Sequence, residues 1–222
     1  MQTIIHLRAE EIGLFEPVLS RYPQKEFKES FIINRVEISE CVVTLYSSGK
    51  LLIQGEGYLK VYDMLTASLP TQETAVGIDE AGRGEDFGSL VVAGVLGDRN
   101  KLRRVRDSKK TGDISAAYRI VMQNALDSHA VVVRSDEIDR LRTSGKNMDM
   151  IQAEAVREIM LRIGKGREVF IDGRAVKGID ANFLEKGDDL DPLISAASII
   201  AKYTRDNSEK GKRETWGKKL SG

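Results

Sequence analysis

Thr74-Ala-Val-Gly-Ile-Asp-Glu-Ala-Gly-Arg-Gly-Glu-Asp-Phe-Gly-Ser-Leu-Val-Val-Ala-Gly-Val-Leu96 is the stretch whose reading decides the fold: two apolar runs flank an acidic, glycine-rich turn. Ala75–Ile78 and Leu90–Leu96 have the near-continuous, β-branched apolar character of buried strands, so two antiparallel strands and a turn are expected. Asp79 and Glu80 close the first run, where an unpaired carboxylate costs several kcal/mol unless a cation or hydrogen bonds compensate it. A metal ion is the simplest compensation. Strand side chains alternate between faces, so both acids address one ion only if the turn begins there or one of them acts through its backbone. Gly82, Gly84 and Gly88 let the backbone approach a ligand closely, with Arg83 placed to meet a phosphate or ribose. The plain alternative is a solvated hairpin corner. A dinucleotide-binding turn fits worse, because the third glycine falls one residue too far for GxGxxG and no helix pattern follows.

Gly77-Ile-Asp-Glu-Ala-Gly-Arg-Gly84, followed by Gly88, resembles the signature of the type 2 ribonucleases H, the ribonuclease HII/HIII group, which cleave the RNA strand of RNA·DNA hybrids. Three later segments extend the resemblance in family order. Asp107-Ser-Lys-Lys110 is similar to a family segment beside the active site; Ser108 can donate to a phosphate and Lys109 or Lys110 can supply charge. Glu168-Val-Phe-Ile-Asp-Gly173 repeats the device of an apolar strand closing in a carboxylate and a glycine, and implies that Asp172 is the third acid. In Gly187-Asp-Asp-Leu-Asp-Pro-Leu-Ile-Ser-Ala-Ala-Ser-Ile-Ile-Ala-Lys202 the resemblance puts Asp188 in the fourth acidic position; chemistry alone does not separate it from Asp189 or Asp191. Departures are Ser89 where the family commonly has Pro, and a C-terminus without the tyrosine segment of HII enzymes.

Composition agrees with a soluble globular protein: 222 residues, 41% hydrophobic and 31% charged. No apolar run approaches membrane-spanning length and no secretory pattern opens the chain, so a cytoplasmic protein is expected, without membrane contact and acting as a monomer. One cysteine, Cys41, and two histidines leave little material for a disulfide framework, a histidine triad or a zinc cluster, so the chemistry falls to carboxylates. Net charge is zero but uneven: residues 1–73 carry 7 Lys/Arg against 10 Asp/Glu, leaving 27 against 24 in the remainder. Basic clusters at Lys101–Arg119 and Lys202–Lys219 read as solvated faces, or as ground for a polyanion.

Along residues 1–72, strand Thr3–Leu7, helix Ala9–Tyr22, strands Glu29–Ile38, Cys41–Tyr46 and Leu51–Gln54, and helix Gly57–Leu69 (Leu59, Tyr62 and Leu65 inward) are expected, closed by the polar linker Pro70–Glu73. This layout is similar to the TATA-box-binding-protein-like (TBP-like) domain ahead of HIII catalytic domains, which implies a substrate-binding role. Residues 73–222 continue with helix Ile114–Leu126 capped by Asp113, strand Ala130–Arg134, and helices Ser135–Leu141 and Asn147–Ile163. The expected architecture is α/β: a ribonuclease H-like mixed sheet flanked by helices, preceded by the small α+β TBP-like domain.

The resemblance implies an endoribonuclease in which Asp79, Glu80, Asp172 and Asp188 hold two Mg²⁺ or Mn²⁺ ions about 4 Å apart and leave 5′-phosphate and 3′-hydroxyl ends. Gly82, Arg83, Gly84, Ser108, Lys109 and Lys202 would contact the RNA·DNA hybrid. A hybrid-binding module with little turnover is the alternative. Arg83 is the HII form of the turn, while the layout is HIII-like, which leaves single embedded ribonucleotides and longer RNA tracts both open as substrates.

Overall fold

The computed structural model describes residues 2–7, 9–68, 74–103 and 113–218. The chain divides into two compact units, Met1–Thr71 and Gln72–Gly222. The linker Pro70–Glu73 lies outside the described residues, as does the segment carrying Ser108 and Lys109.

The first unit is an antiparallel sheet of four strands, β1 (Gln2–His6), β2 (Ile32–Ile38), β3 (Cys41–Tyr46) and β4 (Lys50–Gly55), in the order β1-β4-β3-β2. Strand β2 alternates strictly between buried and half-buried residues, as a sheet with one covered face must. The covered face packs Ile5, Val36, Val43, Leu45, Leu51 and Ile53 against Phe15 and Leu19 of α1 (Ala9–Leu19) and Val61 and Leu65 of α2 (Tyr58–Ala67). Two local expectations are corrected. Strand β2 starts at Ile32 because Glu29 closes a turn, accepting from Ile32 N at 3.1 Å. Helix α2 starts only after Gly57, whose φ of 73° ends the preceding turn, so its phase buries Val61 and leaves Leu59 exposed.

The second unit is a mixed sheet in the order β7-β6-β5-β8-β9, built from β5 (Ala75–Ala81), β6 (Leu90–Gly97), β7 (Asp127–Val133), β8 (Val169–Asp172) and β9 (Asn182–Leu184). The β7-β6-β5 side is antiparallel; β8 pairs parallel with both β5 and β9. Helices α3 (Ile114–Asn124) and α7 (Pro192–Asp206) cover one face, where Ala75, Val91, Ala93 and Val95 meet Ala117, Val121, Leu193 and Ala197. Helices α4 (Ser135–Thr143) and α5 (Met148–Ile163) cover the other, where Val76, Ile78 and Val92 meet Ile138, Ile151, Ala155 and Ile159. Coverage of both faces explains why β5 and β6 read as continuous apolar runs rather than alternating ones. Among the described residues no helix is long and apolar enough to cross a membrane.

Candidate active site

Strand β5 stays in regular register through Ala81: Asp79 sits opposite Ala93, Glu80 opposite Val92 and Ala81 opposite Val91. The turn therefore begins after the two acids rather than at them, which settles how they are oriented. Strand alternation turns Asp79 toward the α7 face, with Ala75 and Ala81, and Glu80 toward the α5 face, with Val76 and Ile78.

Each carboxylate meets a different wall. Asp79 is 6% exposed, and its Oδ1 accepts from Glu80 N at 2.7 Å. The Ser198 hydroxyl, fully buried on α7, lies near enough to favour the charged form, although its Oγ falls short of full hydrogen-bond geometry. Glu80 Oε2 accepts from Gln152 Nε2 of α5 at 3.0 Å. Asp172, ending β8, accepts from Gly187 N through Oδ1 at 2.6 Å. A Cβ at position 187 would lie 3.3 Å from that oxygen and 2.6 Å from Ile194 Cδ1, so the bare glycine allows α6 (Gly187–Leu190) to close on Asp172.

These acids feel one another. Burial first, then the charges of Asp172 and Asp188 acting against hydrogen bonds from Ser198 and Glu80, lifts Asp79 from its ordinary 3.8 to about 6. Burial and then the Asp79 charge lift Glu80 from 4.5 to about 7, with Arg83 pulling the other way. Of the three aspartates near 190, Asp188 is the one whose charge reaches Asp79. Asp191 is engaged elsewhere: it caps α7 through Leu193 N at 2.8 Å and pairs with Arg99 Nε at 2.7 Å. Asp189 is exposed.

An all-oxygen donor set suits hard cations such as Mg²⁺ or Mn²⁺ rather than zinc. The raised values of Asp79 and Glu80 mark charge that a cation would neutralise. Among the described residues, however, no three His, Cys, Asp or Glu side chains are already gathered around a single point. Asp79 and Glu80 stand near the end of β5 on opposite faces, Asp172 ends β8 and Asp188 lies on α6.

The expected substrate contacts divide. Arg83 is exposed and pairs with Asp149 at the start of α5. Gly82 takes a φ of 84°, while Gly84 faces open space. Lys202 is exposed on α7. Ser108 and Lys109 lie outside the described residues. Sequence reasoning missed Gln152 and gave Ser198 no part in the site. Gln152 carried a signal, because it is a polar residue in phase with Val156, Ile159 and Ile163 on the buried stripe of α5.

A family model described as Ribonuclease HII matches residues 76–221. The chain belongs to that family. A ribonuclease HII from Methanosphaera stadtmanae is 30% identical over 176 residues, covering 69% of this chain and 81% of its own length. One from Acidothermus cellulolyticus is 37% identical over 141 residues, covering 60% of this chain and 45% of its own. The chain spans about half to two thirds of the first relatives it matches, 45, 66 and 55% of their lengths. Among solved structures, ribonuclease HII of Archaeoglobus fulgidus in its PCNA complex matches at 31% identity and a TM-score of 0.54, over 61% of this chain and 74% of that one. Bst ribonuclease HIII in complex with Mn²⁺ shares the fold over 95% of this chain and 86% of its own, at 20% identity and a TM-score of 0.54.

In this ribonuclease HII fold the glycine-rich turn is held from behind by the last turn of α7 and the segment that follows it. Arg205 donates to Glu85 Oε2 at 2.6 Å and to Ser89 O at 3.3 Å, filling the space a Cβ on Gly82 would need. Arg213, 1% exposed, donates to Gly88 O at 2.9 Å and Glu85 O at 2.7 Å. Glu209 accepts from Ser89 Oγ at 3.1 Å and from Ser135 N at 2.8 Å, so Ser89 has a hydrogen-bonding role that proline could not fill. Two arginines of the second basic cluster thus point inward to carbonyls and a carboxylate.

Backbone N–H donors from Ser135 and Gly211 hold the Glu209 carboxyl below the usual glutamate range, against the effect of burial. A depressed acid stabilises the fold above its ordinary value of 4.5 and loses that contribution as pH falls through its folded value. Glu209→Ala is expected to cost about 1–3 kcal/mol at neutral pH. Chemical denaturation across pH 3–7 should show the gap to wild type narrowing at the acid end.

Proposed function

We propose that this chain is an endoribonuclease that hydrolyses the RNA strand of RNA·DNA hybrids with two Mg²⁺ or Mn²⁺ ions, leaving 5′-phosphate and 3′-hydroxyl ends. The observation that carries the reading is the placement of buried Asp79 and half-buried Glu80 and Asp172 near the ends of adjacent strands β5 and β8, with Asp188 on α6 close enough for its charge to bear on Asp79. Membership of the ribonuclease HII family, and the Mn²⁺ of the structurally similar Bst ribonuclease HIII, support it.

Bound divalent ions would activate water and stabilise the leaving oxygen at the scissile phosphate. Everything else falls to the chain. Asp79, on the α7 face, and Glu80, on the α5 face, would approach the phosphate from two sides, with Asp172 and Asp188 completing the donors. Gln152 holds the Glu80 carboxylate, and Gly187 N holds one oxygen of Asp172, leaving its other oxygen to ligate. The turn Gly82-Arg83-Gly84 would set its amides against the 2′-hydroxyl, the group that separates RNA from DNA. Ser108, Lys109 and Lys202 are assigned to backbone phosphates. Residues 1–72 would add hybrid affinity through the half-exposed sheet face, where Phe31 and Tyr46 stack at 6.2 Å.

Because no three acids gather around one point among the described residues, the free protein should bind cations weakly and complete their coordination with substrate phosphate, the usual habit of Mg²⁺. Mn²⁺ titrated into the protein alone should saturate at far higher concentration than with a non-cleavable hybrid present. Equal affinity in both states would count against shared coordination. The direct test is a labelled RNA·DNA duplex: cuts in the RNA strand with Mg²⁺ or Mn²⁺, none with EDTA, and none in an all-DNA duplex. Binding without cleavage at any metal concentration would favour a hybrid-binding module instead.

A further inference from the structure

We propose that Arg157 and Lys177 form a second anionic subsite, which takes a backbone phosphate next to the scissile one. This deepens the reading above and rests on it. The structure has a groove of about 760 Å³ that starts at Glu80 and Asp172 and runs between helix α5 and the loop following β8. That is within the roughly 300–1,000 Å³ of ordinary ligand sites, but this one is open and highly charged. Its helix wall carries Asp149, Glu154 and Arg157; its loop wall carries Arg174 and Lys177.

Pairing decides which charges remain for a ligand. Asp149 is taken by Arg83 and Glu154 by Lys146, whose Nζ lies 2.7 Å from its carboxylate. Arg174 lies 3.0 Å from Glu185. Arg157 and Lys177 are both exposed, and among the described residues neither has an anionic or hydrogen-bonding partner. Arg157 reaches across from the helix to the loop: a Cβ on Gly178, whose φ is 77°, would lie 3.4 Å from Arg157 Nη2. Arg157 Nη2 thus lies beside the loop that carries Lys177, and both side chains line the same groove.

The groove therefore has polarity, acidic where Glu80 and Asp172 stand and basic where Arg157 and Lys177 stand. Arg157 is five residues beyond Gln152, the partner of Glu80, or roughly 7 Å along the helix axis. A strand whose scissile phosphate is shared with cations at the acids would place its next phosphate between the two walls. Phosphate contacts fix register without reading sequence, so this subsite positions the strand and does not select bases.

The test uses Asp79→Asn protein, so that the hybrid stays intact, and follows binding of a labelled RNA·DNA duplex at several salt concentrations. Arg157→Ala and Lys177→Ala should each weaken binding roughly threefold to fivefold. Each should also flatten the slope of log K against log salt by about 1, and the double variant by about 2. Arg157→Lys, which keeps the charge, should retain most of the slope. Arg162→Ala, on the same helix but outside the groove, should change neither quantity. An unchanged slope in the double variant, while wild type cleaves the hybrid, would overturn this subsite and leave the proposed activity standing. Failure of wild type to bind or cleave the hybrid would overturn both.

Discussion

Asp79→Asn should abolish hydrolysis and at the same time raise the stability of the metal-free protein. Its carboxylate is 6% exposed and faces two other acids, so the charged form is disfavoured in the folded state. An acid whose folded value lies above its unfolded one stabilises the protein fully only below the unfolded value. That contribution is lost as pH rises from about 4 through about 6. The shift corresponds to a burden on the order of 2–3 kcal/mol at pH 8, shared with Glu80 because the two titrate together. Asparagine keeps the shape and removes the charge. The expected gain is about 1–2 kcal/mol in EDTA at pH 8, or a melting temperature higher by roughly 3–6 °C. At pH 4.5 the gain should shrink to about a third, because the folded wild type is then protonated while its unfolded chain is still largely ionised. Activity should fall about a thousandfold or more, since under the proposed function the carboxylate removed would hold a cation at the reacting phosphate. Thermal melts with and without EDTA at the two pH values, beside a cleavage assay, check both halves. A variant no more stable than wild type at pH 8 would show that hydrogen bonds, rather than a bound cation, already compensate the charge.

That trade explains why the site was legible before the fold was. Carboxylates closing apolar strands at Asp79 and Asp172 break the local rule that buried charge is avoided, and function is where such rules are broken. Strands β5 and β6 were equally plain, because burial on both faces writes a continuous apolar run. The division of labour between Asp79 and Glu80 was not legible, since it depends on β5 keeping its register through Ala81 and on which helix covers which face. Three-residue β9 had too few positions to show a period. The inward turn of Arg205 and Arg213 was hidden for a different reason. A basic cluster announces charge but not direction, and here the deciding partners are Glu85 and main-chain carbonyls more than a hundred residues away. The groove wall opposite α5 belongs to a loop that only tertiary packing brings near.

Gly77→Ala should be the most damaging single-methyl change in the catalytic unit. Strand β5 touches the first turn of α7 at this point: an added Cβ would sit 2.3 Å from the Leu193 carbonyl carbon and 2.4 Å from Ile194 N. Both are backbone atoms, so no rotamer change relieves the clash and the helix itself must move. Overpacking that displaces backbone lies at the upper end of the usual 1–3 kcal/mol, and about 3 kcal/mol or more is expected here, lowering the melting temperature by roughly 6–12 °C. The displacement also reaches the site. Helix α7 carries Ser198 beside Asp79, and Ile194 packs over Gly187, which holds Asp172. Activity measured well below the melting temperature should therefore fall as well, which a purely global loss of stability would not produce. Gly84→Ala supplies the contrast, because nothing lies within 4 Å of the Cβ it would gain and its backbone angle is ordinary. Its stability should stay within about 0.5 kcal/mol of wild type, while hybrid affinity should drop if the turn amides lie against the 2′-hydroxyl. Denaturant melts of the two variants separate the glycine that lets two elements touch from the glycine that lets a ligand approach. A Gly77→Ala protein as stable as wild type would mean that α7 can slide along β5, and the tight seating of the acids on that helix would have to be abandoned.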